Sequence, residues 1–102
     1  DRVKEIREQL SAAFSKDDVY ELVNVNVTAL DGKSHVLLEI IGPDYYPSEK
    51  IEALRTLFSQ RFDDSIALYA WTRVERVEGP GGIVSLRKLN QEIKVRLRVC
   101  WV

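Results

Sequence analysis

The chain has 102 residues, 45% apolar and 30% charged, with a net charge of −1. That composition belongs to one globular domain with a real core, and it excludes a disordered chain. A single cysteine, Cys100, excludes an intramolecular disulfide and a cysteine-built zinc site, and no apolar run approaches the roughly 20 residues of a membrane span.

From the N-terminus, Val3, Ile6, Leu10, Ala13 and Phe14 fall within about 100° of arc, so residues 2–15 are expected as an amphipathic helix. Its other face, Lys4, Glu5, Glu8 and Gln9, reads as solvated, and Lys16-Asp17-Asp18 links it onward. Residues 19–30 and 35–41 read as strands joined by Asp31-Gly32, a type I′ hairpin signal because both central residues need positive φ. A two-residue loop pairs Leu30 with Lys33. Val27 then meets Val36, Val25 meets Leu38 and Val23 meets Ile40, all on one face. Asn24, Asn26 and Thr28 lie on the other, opposite Glu39, Leu37 and His35.

The stretch from Gly42 to Thr72 organises the rest. Pro43 and Pro47 hold their predecessors out of helical geometry, and Ser48 stands where an N-cap belongs, with Glu49 in the first turn. Ile51, Leu54, Leu57, Phe58 and Phe62 make a second stripe, within roughly 140° of arc. Asp63-Asp64-Ser65 ends that helix, and Ile66 to Thr72 alternates as a strand. Glu78-Gly79-Pro80-Gly81-Gly82 reads as a flexible loop, followed by one capped helical turn over residues 85–90. From Glu92 to Val102 the sequence alternates strictly, Ile93, Val95, Leu97, Val99 and Trp101 against Lys94, Arg96, Arg98, Cys100 and Val102, and predicts the last strand.

The order α-β-β-α-β-β predicts a two-layer α+β sandwich, both helices on one face of a four-stranded sheet. A right-handed crossover fits best if the last strand slots between the second and third, giving a permuted ferredoxin-like sheet. The uncovered face would then carry Leu37, Tyr69, Trp71, Arg73, Lys94, Arg96 and Arg98. Exposed aromatics of this kind mark an interface with another subunit or another part of the same protein. The rival is a platform for an anionic ligand or single-stranded nucleic acid on the Tyr69/Trp71/Arg96 side, where bases stack on rings and phosphates meet Arg or Lys. Residues 1–82 hold 10 basic and 15 acidic side chains, which disfavours nucleic acid.

Catalytic and metal chemistry find no foothold. His35 and Glu39, four apart on a strand, have Cα atoms about 13 Å apart, too far to share one ion. Gly79-Pro80-Gly81-Gly82 lacks the Lys-Ser/Thr ending of a phosphate loop. No acid–base pair, no nucleophile with a base and no cofactor fingerprint is present, so the expectation is a protein without enzyme activity, metal or cofactor. The chain starts at Asp1 and contains no methionine, which is expected of a domain cut from a longer protein.

Two resemblances add to this. Ser34 to Ile41, followed by Pro43-Asp44 and the helix 48–62, resembles the α-β-β-α-β cytoplasmic domain of cation diffusion facilitators, which would imply metal sensing and dimerisation. No ligand residue is carried over from that family. Over residues 45–102, Tyr69-Ala70-Trp71-Thr72-Arg73-Val74-Glu75, a glycine-containing turn, Ser85-Leu86 and the ending Val95 to Val102 resemble the soluble tail of a family of uncharacterised bacterial multi-pass membrane proteins. Both imply a cytoplasmic assembly or sensing domain of a larger membrane protein, in contact with a second copy or with the parent's membrane domain, and itself not inserted in the bilayer.

Overall fold

The computed structural model describes residues 2–62 and 65–100, with side chains through Lys94. Its elements are α1 (Arg2–Ser15), β1 (Glu21–Leu30), β2 (Lys33–Gly42), α2 (Ser48–Phe62), β3 (Ile66–Val74), β4 (Arg76–Gly79), β5 (Gly82–Ser85) and α3 (Leu86–Cys100). The class is α+β, with a three-stranded sheet of order β1-β2-β3 and a separate two-stranded sheet β4-β5.

The hairpin forms as its turn dictates. Asp31 and Gly32 both take positive φ, 52° and 76°, and Leu30 pairs with Lys33, Val27 with Val36 and Val25 with Leu38. The fourth expected pair is overturned. A bulge between Leu22 and Asn24 sets Leu22, not Val23, opposite Ile40, and Val23 is left 53% exposed. One extra residue on the bulged strand moves the following side chains to the other face, so Leu22 takes the inward place.

β2 and β3 are parallel and joined through α2, the βαβ unit that a crossover helix builds. They pair directly, from Ser34 with Ile66 to Gly42 with Val74. No strand lies between them, and the segment expected to fill that place is the body of α3. The permuted ferredoxin-like sheet of four strands is therefore not what the described residues form. The competing period explains it: Leu86, Leu89 and Ile93 recur at i, i+3 and i+7, Leu, Arg, Lys, Gln and Glu favour helix, and the Ser85 hydroxyl accepts the Lys88 N–H at 3.0 Å as an N-cap. The expected flexible loop is likewise ordered, as the antiparallel hairpin β4-β5, with Gly79 paired to Gly82 across Pro80-Gly81.

α1 and α2 cover one face of the three-stranded sheet. Ile6, Leu10 and Phe14 of α1 and Ile51, Leu54 and Phe58 of α2 join Val25, Val36, Leu38, Ile40 and Leu68 in a single core. The far edge of β3 is tied to α2 by Arg55, which donates to the Leu68 carbonyl at 3.0 Å.

A polar corner locks α1 to α2. The Asp17 carboxylate accepts the N–H groups of Val19 (2.9 Å) and Tyr20 (3.0 Å) and the Lys50 ammonium (2.9 Å). Lys50 also lies 5.1 Å from the Tyr20 ring centre. Burial pushes the Asp17 carboxyl up, but the Tyr20 N–H, Lys50 and the Val19 N–H together hold it below its ordinary value. A group depressed in the folded state stabilises the fold above its unfolded pKa and loses that contribution as pH falls through the folded one. Stability is therefore expected to drop below about pH 4, and Asp17→Asn to flatten that part of the curve while lowering stability at pH 7. Urea midpoints between about pH 2 and 7 measure it; parallel curves for the two proteins would remove Asp17 as a cause.

Candidate assembly surface

The face of the sheet turned away from α1 and α2 is built by the odd-numbered residues of β2 and the side chains level with them. The register sets out its rows: Thr28, His35 and Ala67; Asn26, Leu37 and Tyr69; Asn24, Glu39 and Trp71; then Ile41 beside Arg73. Strand alternation places them there, because each inward partner (Val25, Val27, Val36, Leu38, Ile40, Leu68) is apolar and taken up by the core.

Apolar surface is concentrated along β2 and β3. Tyr69 is 48% and Trp71 57% exposed, with Leu37 and Ile41 half-buried between them and β1. Val23, put outward by the bulge, borders a small cleft with Glu39, Ile41, Trp71 and Arg73. Polar contacts hold this surface in shape. The His35 Nδ1 and the Tyr69 hydroxyl are 3.1 Å apart, their rings stacked with centres 5.9 Å apart. Asn26 donates to Glu39 at 3.1 Å, and Arg73 pairs with Glu75 at 3.1 Å. The Tyr69 ring is thus pre-positioned rather than free to reorient, which lowers the entropy lost on docking.

Leu37, Tyr69, Trp71 and Arg73 come together here as the alternation predicted. Lys94 does not: it is exposed on α3. Arg96 and Arg98 belong to α3 in the backbone, and their side chains lie outside the described residues. Among the described side chains, no basic row of the kind that an anion or single-strand platform needs lines this face. Among the described residues it keeps Lys33 at the hairpin end and Arg73 at the opposite end, the latter already paired. Val23 and the His35–Tyr69 pair were not foreseen. A bulge has no compositional mark, and the pair depends on a β2–β3 register set by distant packing.

Other chemistry is sparse among the described residues. No group of three or more His, Cys, Asp or Glu is placed to hold a metal ion. No helix is long and apolar enough to cross a membrane. The Tyr46 hydroxyl is pushed up to about 12 by burial, with Asp17 and Tyr20 adding to the effect, so it stays protonated at neutral pH. Its ring packs between Phe14 (5.4 Å) and Tyr20 (5.1 Å), a structural position. No family model, curated protein or solved structure matches the chain.

Proposed function

We propose that this domain is a non-enzymatic assembly module that self-associates through the open face of its sheet. One observation carries the reading: Leu37, Ile41, Tyr69 and Trp71 form a contiguous apolar surface, opposite both covering helices, with two large aromatic rings half in water. Aromatic anchors of this kind dominate protein interfaces. The occupant is a second copy, because the surface is self-complementary in charge. Glu39 lies beside Trp71 and Arg73 beside Ile41; Arg73 bridges Glu75 within the chain but stays 57% exposed, so in a two-fold pairing it can also meet Glu39 of the second copy while the aromatic centres meet.

In the wider setting we place it as a cytoplasmic assembly or sensing part of a larger membrane protein. The two resemblances of the sequence support that placement.

The test is the mass in solution. Light scattering across a concentration series is expected to give a dimer for the natural sequence and a monomer for Trp71→Glu, with unchanged circular dichroism. A charge placed at the centre of an apolar interface costs at least about 3 kcal/mol, more than a hundredfold in the dissociation constant. A natural chain that stays monomeric, or a Trp71→Glu chain whose mass does not change, ends the proposal.

A further inference from the structure

Helix α3 has the makings of a second surface, unlike the first. Leu86, Leu89 and Ile93 span about 60° of arc, and Leu86 and Ile93 remain 39% and 46% exposed. From Asn90 to Lys94 every residue is exposed. Among the described residues, the hydrogen bonds that tie α3 to the rest of the fold come from its first turn, where Arg87 donates to the carbonyls of Asp17 (2.8 Å) and Tyr20 (2.7 Å). Arg87 projects about 130° from the centre of the stripe, so the bond that anchors α3 does not use the stripe; Leu86 at its start borders a cleft with Val19, Ile41 and Gly42, and Ile93 further on stays exposed.

Charge is segregated in the same way. α3 holds five of the chain's 15 basic side chains and one of its 16 acidic ones, net +4 against −5 for the rest. We infer that α3 is an interfacial helix that docks on an anionic lipid surface, its stripe in the headgroup region and Lys88 and Lys94 among the anionic headgroups. Over its described side chains, Leu86 to Lys94, α3 has one narrow apolar stripe, low hydrophobicity and a basic polar face, which fits that role. Lys88 and Lys94 flank the stripe about 110–130° from its centre, where long cationic side chains reach headgroups while their stems lie along the acyl boundary. The acidic remainder is repelled by the same surface, so the charge distribution also fixes the orientation: α3 down, sheet away.

The competing partners fit less well. The open sheet face of a second copy offers Glu39 between Lys33 and Arg73, no match for a helix of net +4. Nucleic acid would meet the basic side chains but leave Leu86 and Ile93 in water or against phosphate. An anionic bilayer takes up both the stripe and the charge. This helix lies on the bilayer surface, in agreement with its lack of the length and apolarity needed to cross it.

The experiment is flotation of the full chain with phosphatidylcholine vesicles, with and without about 30% phosphatidylserine, at about 0.05 M salt. Binding is expected to the anionic vesicles alone, and to fall at least tenfold when salt is raised to about 0.5 M. Lys94→Glu reverses one flanking charge and should weaken binding by about twentyfold or more, from a headgroup attraction worth about fivefold per charge. Ile93→Glu should abolish it. Both substitutions are at exposed positions, so circular dichroism should not change, and Trp71→Glu, as a monomer, should keep the preference for anionic over neutral vesicles. Absence of binding by the folded chain, equal binding to neutral vesicles, or retention by Ile93→Glu overturns the inference. So does a loss of dimer in Ile93→Glu without vesicle binding, which would assign α3 to a protein interface.

Discussion

Gly42→Ala is expected to destabilise the domain by about 3 kcal/mol, a large effect for one added methyl group. Gly42 ends β2 and pairs with Val74, and its carbonyl accepts the Glu75 N–H at 2.7 Å, so its backbone is held on the β3 side. A Cβ there would lie 2.5 Å from Tyr20 Cε1 and closer still to Cδ1. The glycine is required for this close approach, not for an unusual φ. The ring has nowhere to go. It is buried, set edge-on to Tyr46 at 5.1 Å, bonded through its hydroxyl to the Tyr45 carbonyl at 3.3 Å, and covered by Lys50. Either β2 shifts at its end or the whole corner of Asp17, Tyr20, Tyr46 and Lys50 loosens. A double-mutant cycle in urea separates this from a generic loss of strand structure. On a Tyr20→Ala background, the alanine at position 42 should cost less than about 1 kcal/mol, a coupling of about 2 kcal/mol. Equal costs on both backgrounds would show that the ring is not the obstacle.

That close approach illustrates what a sequence reading reaches and what it does not. Pro43 and Pro47 marked the turn and Ser48 the start of α2, because those are local effects with a chemical signature. Nothing near Gly42 announces Tyr20, which arrives from 22 positions earlier through the packing of α1 on the sheet. The hairpin was legible because Asp31-Gly32 and the alternation agree on a register, and two of the three apolar pairs form as that register requires. The third failed at Val23, a valine like its inward neighbours, where a bulge sets Leu22 opposite Ile40 instead. The last segment failed for another reason. Ile93 to Val99 alternates as a strand does, while Leu86, Leu89 and Ile93 keep helical spacing in the same sequence. Over a dozen residues both periods can be satisfied, and capping by Ser85 with good helix formers decides for the helix. The misplacement of Lys94, Arg96 and Arg98 on the sheet face follows from that one choice of period. Tyr69 and Trp71 were placed correctly because β3 has no helical alternative: Ile66, Leu68 and Ala70 against Ala67, Tyr69 and Trp71 suits a strand alone.

The two faces of the sheet should answer to mutation in opposite ways, and Phe58→Ala shows the covered one. Phe58 is among the most buried side chains of the core. It lies 5.3 Å from Phe62 in a tilted pair and shares one cluster with Leu38, Ile40 and Leu68. It is the point at which α2 grips β2 and β3 together. Truncation removes the transfer energy of the ring and leaves a cavity that a helix and two paired strands cannot close, about 4 kcal/mol in all. For a domain with a total stability on the order of 5–15 kcal/mol that is about a quarter or more of the whole, and a fall in melting temperature of about 20 °C. Because the loss is distributed through the core, the transition should stay cooperative. An isolated, correctly folded fraction should keep the dimer mass, since the open face is displaced only through the strands themselves. Trp71→Glu should do the reverse, abolishing the dimer with little change in the stability of the monomer. A cost for Phe58→Ala below about 1 kcal/mol, in denaturation followed by far-ultraviolet dichroism, would mean that α2 does not hold the parallel pair β2–β3 together. The whole placement of the Tyr69–Trp71 surface would then have to be redrawn, because that pairing alone brings Tyr69 beside Leu37 and His35.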